Sequence, residues 1–316
     1  MTRKLALLDD YQDVARDVAN WEDLSGWEVH PIRRHLRGRE LAAALAGFTA
    51  VVAMRERTAF DRDLLQQLPE LELLVTTGAR NASIDVAAAN EAGITVCGTG
   101  ASPAAAPELT WALIMAAVRD IPGQQAALRE GRWQTGVGRE LAGRTLGILG
   151  LGKIGTRIAG YARAFGMDVL AWSANLTDEL AAAAGARRVD KRDLFAESDI
   201  VVVTTRLSER TRHLVGRAEL EALGPDGLLV NTSRGGVVDT DALLGALAEG
   251  DLGGAALDVY DDEPLQPGHR LLDAPRTLLT PHIGYVTREQ YRIFYQDALE
   301  DVQAWAAGAP VRVITG

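Results

Sequence analysis

Leu146-Gly-Ile-Leu-Gly-Leu-Gly-Lys-Ile-Gly155 decides the fold. Thr145–Leu149 is short, apolar and rich in branched side chains, the composition of a buried strand. Gly150-Leu-Gly-Lys-Ile-Gly155 follows at once. From about Lys153 to Phe165 an apolar face recurs at Ile154, Ile158, Tyr161 and Phe165, the spacing of a helix. Strand, G-x-G-x-x-G, helix is the order that gives the glycine spacing a physical meaning. Gly150 permits the tight turn, Gly152 lets a pyrophosphate approach the backbone, and Gly155 lets helix pack on strand. The helix N-terminus offers N–H groups and a partial positive charge to the phosphates. A glycine-rich turn that binds nothing is the alternative. The flanking strand and helix favour a dinucleotide site, with Gly150, Gly152, Lys153, Ile154 and Gly155 as its first contacts.

The chain has 316 residues, enough for two domains with their own cores. At 47% hydrophobic and 24% charged it has the composition of a globular protein. The formal net charge is −10 and no Lys/Arg-rich run stands out, which argues against nucleic acid as a partner. Cys97 is the single cysteine, so neither an intrachain disulfide nor a cysteine-based zinc site is expected. No apolar run approaches the ~18 residues of a membrane span. No signal peptide is expected before the first strand at Lys4–Leu8, so a cytoplasmic protein with no membrane partner is expected.

Residues 1–100 read as repeated strand–helix units. The strands are expected at Lys4–Leu8, Trp27–Ile32, Ala50–Met54, Leu73–Thr76 and Ile94–Cys97. Helical patterns such as Gly38–Ala46 and Asp61–Leu68 lie between them. Residues 101–121 read as one long helix, with Pro103 and Pro107 suited to its start. A polar connection, Glu130–Gly143, leads to the glycine loop, and alternation then resumes. Further strands are expected at Asp168–Trp172, Ile200–Thr204, Gly227–Asn231, Gly254–Val259 and Leu278–Thr280. Alternating β and α elements imply parallel sheets with helices on both faces, an α/β doubly wound architecture. Thr287–Ala307 is a long amphipathic helix, and pattern alone does not assign it to either half.

Three residues stand just beyond strands of the second half, where ligands of open α/β sheets bind. Arg234 follows Leu228–Asn231, Glu263 follows Ala255–Val259, and His282 follows Leu278–Thr280. Reducing a 2-keto acid needs a hydride on one face of the carbonyl carbon and a proton on its oxygen. A histidine can supply that proton and take it back in oxidation. A carboxylate beside it fixes the ring and favours its charged form. An arginine can polarise the carbonyl and hold the carboxylate through a planar fork. Taken singly, each residue is as well explained by a turn or a cap; together on one nucleotide-binding unit they point to catalysis. His30, His35, His213 and His269 have no such context, and His30 and His35 read as part of a solvated basic face.

The sequence resembles the D-isomer-specific 2-hydroxyacid dehydrogenases, the family of phosphoglycerate, glycerate/hydroxypyruvate and D-lactate dehydrogenases. The resemblance covers almost the whole chain. It rests on Gly150–Gly155, Asn231-Thr-Ser-Arg-Gly235, Leu257-Asp-Val-Tyr-Asp-Asp-Glu-Pro264 and Thr280-Pro-His-Ile-Gly284, in that order. It implies that Arg234 is the catalytic arginine, Glu263 the carboxylate that orients the histidine, and His282 the acid/base. It also implies that Asp258 contacts the nicotinamide carboxamide. A Rossmann-type NAD(P) domain, 101–285, would be inserted into a flavodoxin-like substrate domain, 1–100 with 286–316, with the reaction in the cleft between them. A homodimer through the cofactor domain is the family's common state. Substrate contacts are implied for Thr77, Gly78 and Ala79, through backbone N–H groups that hold the substrate carboxylate. Arg80 departs from the usual pattern of that loop; it stands to meet a second anionic group or to face solvent and support the loop. Tyr285 is a candidate pocket residue or a packed aromatic at a helix start.

Cofactor selectivity is read at the end of the second strand of the unit. An acid about 20 residues past the glycine loop would bond the ribose 2′-OH of NAD and repel a 2′-phosphate. Here Ser173-Ala-Asn175 stands at that place, and no arginine follows Ser173. Ser173 and Asn175 can donate to either group, so relaxed selectivity between NAD and NADP is expected. Thr205 and Thr232, at two further strand ends, complete the expected cofactor contacts, and Arg206 stands either near the adenosine end or on the surface. Two other readings share the fold: a co-repressor-like partner protein of the C-terminal-binding-protein kind, and a formate- or phosphite-type dehydrogenase. With the chain ending at Gly316, no partner-binding tail is expected.

Overall fold

The computed structural model describes residues 2–315. They form two compact units, Met1–Ser102 with Val286–Gly316, and Pro103–Tyr285. Each has a parallel sheet of its own.

Unit 1 holds β1 (Arg3–Leu7), β2 (Trp27–Pro31), β3 (Ala50–Ala53), β4 (Leu73–Thr76) and β5 (Thr95–Gly98). Their spatial order is β2-β1-β3-β4-β5, and every neighbouring pair is parallel. This is the flavodoxin-like doubly wound order, which reverses between β1 and β3. β3 and β4 are apolar at nearly every position because both sheet faces are covered. The helix Arg288–Ala306 belongs to this unit and buries Tyr291, Phe294, Tyr295, Ala298 and Val302. Thr287 caps its start by accepting the N–H of Gln290.

Unit 2 holds β6 (Thr145–Leu149), β7 (Asp168–Trp172), β8 (Arg187–Arg188), β9 (Ile200–Val203), β10 (Leu228–Asn231), β11 (Gly254–Leu257) and β12 (Thr277–Leu279). Their order, β12-β11-β10-β9-β6-β7-β8, reverses on either side of β6. That is the Rossmann order extended by one strand, so the crevice between β6 and β9 is its ligand-binding switch point. Side chains alternate between the two faces. Val201 and Val203 join one core, with Leu149 and Leu229, while Ile200 and Val202 join the other, with Ile148 and Val230.

The structure revises several expectations. Residues 101–121 are not one helix: Ala105–Val118 ends, Asp120 turns at φ +47°, and a second helix runs Ile121–Arg129. A non-glycine residue in the left-handed region breaks the helix where apolar composition alone gives no stop. β8 is two exposed arginines and carries no hydrophobic signal. His35 is not on a solvated face. Its side chain is 13% exposed, and its Nδ1 lies 3.0 Å from an oxygen of the buried Asp9.

Candidate active site

The glycine loop follows β6, and the steric demands on its three glycines differ. Gly150 sits at φ +107°, and a Cβ there would lie 2.7 Å from the backbone nitrogen of Thr205. At Gly155 a Cβ would lie 2.7 Å from the Gly150 carbonyl oxygen, so the helix Lys153–Ala164 rests directly on the loop. A Cβ at Gly152 would meet nothing within 4 Å, which leaves the approach to the helix N-terminus open. No side chain caps that N-terminus. This is an open backbone cradle at the positive end of a twelve-residue helix, and it fits a pyrophosphate. Lys153 and Ile154 are exposed on the first turn.

Neighbouring strand ends complete the cradle. The Thr204 hydroxyl donates to the Gly150 carbonyl at 2.7 Å, and Thr205 backs the loop. At the end of β7, the Ser173 hydroxyl accepts the Leu151 N–H at 2.8 Å. Ser173 therefore braces the glycine loop from the end of β7. Asn175 is exposed. The Thr232 hydroxyl is bonded to that of Thr110 at 2.7 Å. Arg206 is exposed.

The titratable residues stand beyond β10, β11 and β12, three adjacent strands. His282 Nδ1 lies 2.5 Å from Glu263 Oε2, and both side chains are half-buried. The other oxygen, Glu263 Oε1, accepts the Tyr260 N–H at 2.9 Å, which fixes the carboxylate plane. The Tyr260 hydroxyl donates to the Thr280 carbonyl at 2.9 Å, tying the loop after β11 to the one after β12. Burial pushes the Tyr260 phenol up, so it stays a neutral donor. The His282 ring packs edge-on to Tyr285, with centroids 5.4 Å apart.

Asp258 is 1% exposed. It accepts the Thr280 hydroxyl (2.7 Å) and the N–H groups of Ile283 and Gly284 (both 2.8 Å). Burial pushes its carboxyl up, while the Thr280 hydroxyl and the two N–H bonds pull it down. In this structure the residue pins the loop that carries His282. Arg234 is held by its own loop. Asn231 donates from Nδ2 to the Arg234 carbonyl at 3.0 Å and accepts both the N–H and the hydroxyl of Ser233. The Arg234 guanidinium donates to the Ser233 carbonyl at 2.7 Å. Gly235 is required by contact: a Cβ there would lie 2.1 Å from the Tyr260 carbonyl carbon. The Arg234 loop and the Glu263 loop therefore touch, backbone on backbone. Asn231, Gly235 and Tyr260 stand inside the motifs quoted from the sequence, which assigns none of them a role. Asparagine two residues before a serine is the one local signal they offered.

In unit 1 the loop after β4 is braced from several sides. The Thr77 N–H donates to the Ala53 carbonyl at 3.0 Å, and the Gly78 N–H to the Thr99 hydroxyl at 2.7 Å. This corrects the expectation that all three N–H groups of residues 77–79 are offered to a ligand. Only that of Ala79, which is exposed, has no partner among the described residues. Gly78 has φ +100°, and the Arg55 guanidinium occupies the space a side chain would take. Arg80 is exposed.

Among the described residues no helix is long and apolar enough to cross a membrane. Residues 111–284 match the family model of the D-isomer specific 2-hydroxyacid dehydrogenase NAD binding domain. The chain is 41% identical over 258 residues to a glyoxylate reductase of Aeropyrum pernix, covering 78% of this chain and 77% of that one. It is 32% identical over 331 residues to a glycerate dehydrogenase of Methylorubrum extorquens, 99% of each. A phosphoglycerate oxidoreductase structure from Vibrio cholerae superposes with a TM-score of 0.93 at 40% identity, over 97% of this chain and 100% of that one. With a His–Glu pair and a glycine cradle on one sheet, this chain belongs to the D-isomer-specific 2-hydroxyacid dehydrogenase family, NAD-binding oxidoreductases of 2-hydroxy acids.

Proposed function

We propose that the chain interconverts 2-keto acids and D-2-hydroxy acids, with His282 as the proton carrier. One observation carries the reading: His282 Nδ1 lies 2.5 Å from Glu263 Oε2, on the sheet whose β6 carries the glycine loop. Engaging Nδ1 leaves Nε2 as the nitrogen that meets the substrate oxygen. In reduction the imidazolium gives its Nε2 proton to the carbonyl oxygen, and in oxidation the neutral ring takes it back. Glu263, anchored by Tyr260, orients the ring through its bond to Nδ1. The Arg234 fork polarises the carbonyl and holds the carboxylate. In unit 1, the Ala79 N–H is proposed as a donor for a substrate carboxylate, with Thr77 and Gly78 shaping its loop. Arg80 and Tyr285 are proposed as neighbours of the substrate's remaining groups.

The dinucleotide would be held by the backbone of residues 150–155, by Ser173 and Asn175 at the adenosine end, and by Thr205, Thr232 and Asp258 toward the reacting end. β12 lies four strands from β6. At about 4.8 Å per strand that is ~19 Å, so the ligand must lie extended along the carboxyl edge. When bound, the reduced nicotinamide supplies C2 with two electrons and one hydrogen. Because Ser173 and Asn175 carry no charge, we propose that NAD and NADP are both accepted. A homodimer through unit 2 is part of the proposal, supported by the exposed apolar side chains of Ile121, Leu128, Trp133 and Val137. A cytoplasmic site of action is part of the proposal. The co-repressor-like and formate-type readings are not favoured, since the named relatives are reductases and dehydrogenases of 2-hydroxy acids.

The test is a panel of 2-keto acids with NADH and NADPH in parallel, starting with glyoxylate and hydroxypyruvate. Turnover of at least one keto acid, abolished in His282→Ala, is the expected result. No turnover of any keto acid with either cofactor would overturn the reading.

A further inference from the structure

The last residues of the chain return to unit 1 and lie along the edge of β5. The Gly98 N–H donates to the Arg312 carbonyl at 3.1 Å, and the Ile314 N–H donates to the Val96 carbonyl at 2.8 Å. Cys97 and Val313 form an antiparallel bridge between them. This strap is clasped from the other side by the helix Arg288–Ala306. Arg312 Nε donates to Asp301 Oδ1 at 3.0 Å, Nη1 to Glu300 at 2.7 Å, and Nη2 to the Asp297 carbonyl at 2.7 Å. Asp297 in turn accepts the Gly100 N–H at 2.7 Å. Arg312 itself sits at φ +50°, a strained conformation for a side-chain-bearing residue. Such a conformation persists where surrounding contacts over-determine it, and it accumulates at functional devices.

The other face of the same strand end touches the loop after β4. Thr99 and Gly78 bond reciprocally: the Thr99 N–H donates to the Gly78 carbonyl at 3.1 Å, and the Gly78 N–H to the Thr99 hydroxyl at 2.7 Å. Gly98 is sandwiched. A Cβ there would lie 2.8 Å from the Gly78 carbonyl oxygen, 3.4 Å from Ala79 Cα and 3.0 Å from Ile314 Cδ1. Strap, strand end and loop are thus in direct contact: Gly98 has no side chain of its own, and the Ile314 side chain and the Gly78 carbonyl close on it from two sides. Close-packed backbones transmit displacement rather than damp it.

We propose that the strap, residues 312–314, is a positioning element for substrate binding: through Gly98 and Thr99 it fixes the Ala79 N–H that receives the substrate carboxylate. The inference rests on the proposed role of the Thr77–Ala79 loop. Ile314 supplies the packing and Arg312 the clasp. Neither touches the reacting atoms, so each should affect how substrate is held rather than the chemical step.

The experiment compares wild type with Ile314→Ala, Ile314→Leu and Arg312→Gln, and with Gly78→Ala as the loop control. Ile314→Ala and Arg312→Gln should raise KM for the keto acid about 3–10-fold, with kcat changed less than about twofold and the Kd for NADH unchanged. Ile314→Leu, which keeps a δ-methyl, should restore most of the loss. Amide hydrogen exchange gives a readout that needs no turnover: residues 76–82 should exchange faster in Ile314→Ala, while residues 145–165 should not change. Unchanged KM and unchanged exchange in residues 76–82 would overturn the proposal. If exchange there accelerates while neither Ile314→Ala nor Gly78→Ala moves KM, the coupling stands and the loop's role in substrate binding fails.

Discussion

His282 stands at φ +52°, where a non-glycine residue costs on the order of 1–3 kcal/mol, so something must hold it there. Its own N–H donates to the Thr280 carbonyl, and the next two N–H groups are taken by Asp258. The histidine is therefore aimed by backbone bonds on one side and by Glu263 on the other. His282→Ala should lower kcat by about 10²–10⁴ with cofactor affinity nearly unchanged. Near-normal turnover of the best substrate would remove His282 from the mechanism. Arg234 is held with equal care by Asn231, which makes its fork the part that cannot be imitated by a point charge. Arg234→Lys should lose in both KM and kcat; recovery of most of kcat/KM by lysine would assign Arg234 a structural role. That these residues lie beyond strand ends could be read from sequence, because apolar runs followed by glycine and polar residues mark such ends. Which loop touches which could not be read. The contact of Gly235 with Tyr260, and the grip of Asp258 on Ile283 and Gly284, join segments about 25 residues apart that no local pattern relates.

At the scale of elements, β6, the glycine loop and the helix Lys153–Ala164 could be read because each carries its own signal: apolar strand, spaced glycines, period of 3.6. The break at Asp120 and the strand β8 could not, since neither changes hydrophobic periodicity. The role of β7 was half legible. Its lack of an acid is a sequence fact, but the bond from the Leu151 N–H to the Ser173 hydroxyl is not. That bond shapes a prediction. Ser173→Asp keeps an acceptor for Leu151 and places a carboxylate where it would bond a ribose hydroxyl and repel a 2′-phosphate. The variant should shift kcat/KM toward NADH while leaving the glycine loop intact. A wild type that discriminates more than about a hundredfold against NADPH, roughly 2.7 kcal/mol, would remove the idea of relaxed selectivity. The helix Arg288–Ala306 offers a second test. Asp301 on its buried face is pushed up to about 7, chiefly by burial, and Arg312 opposes that shift. A folded-state value above the ordinary one means the stabilising contribution is complete below about pH 4 and is lost as pH rises through about 7. Wild type should therefore lose Tm across that window relative to Asp301→Asn. Parallel Tm–pH curves for the two proteins would show that Asp301 does not titrate there.

For the molecule as a whole, a net charge of −10 opposes self-association, so a dimer needs a surface where apolar contact outweighs repulsion. Residues 119–140 of unit 2 offer one. They carry four arginines against three acids, close to neutral in an acidic chain. After the helix Ile121–Arg129 the backbone runs without regular structure to residue 141 and is exposed along most of its length. Trp133 is 75% exposed there and Val137 fully so, and Ile121 and Leu128 are open on the preceding helix. Scattered exposed apolar residues need no explanation, but four within seventeen residues, one a tryptophan, match the composition of an interface core. A stable interface buries at least about 1,000 Å², which an extended arm with a helix can supply where a single loop cannot. The chain should therefore be dimeric at micromolar concentration by light scattering. Trp133→Glu removes the largest apolar contact and adds to the repulsion, so its dissociation constant should rise at least about a hundredfold. Added salt should strengthen the wild-type dimer by screening the like charges. A wild type that sediments as a monomer at all concentrations, or a Trp133→Glu variant with unaltered mass, would move the interface elsewhere or abolish it.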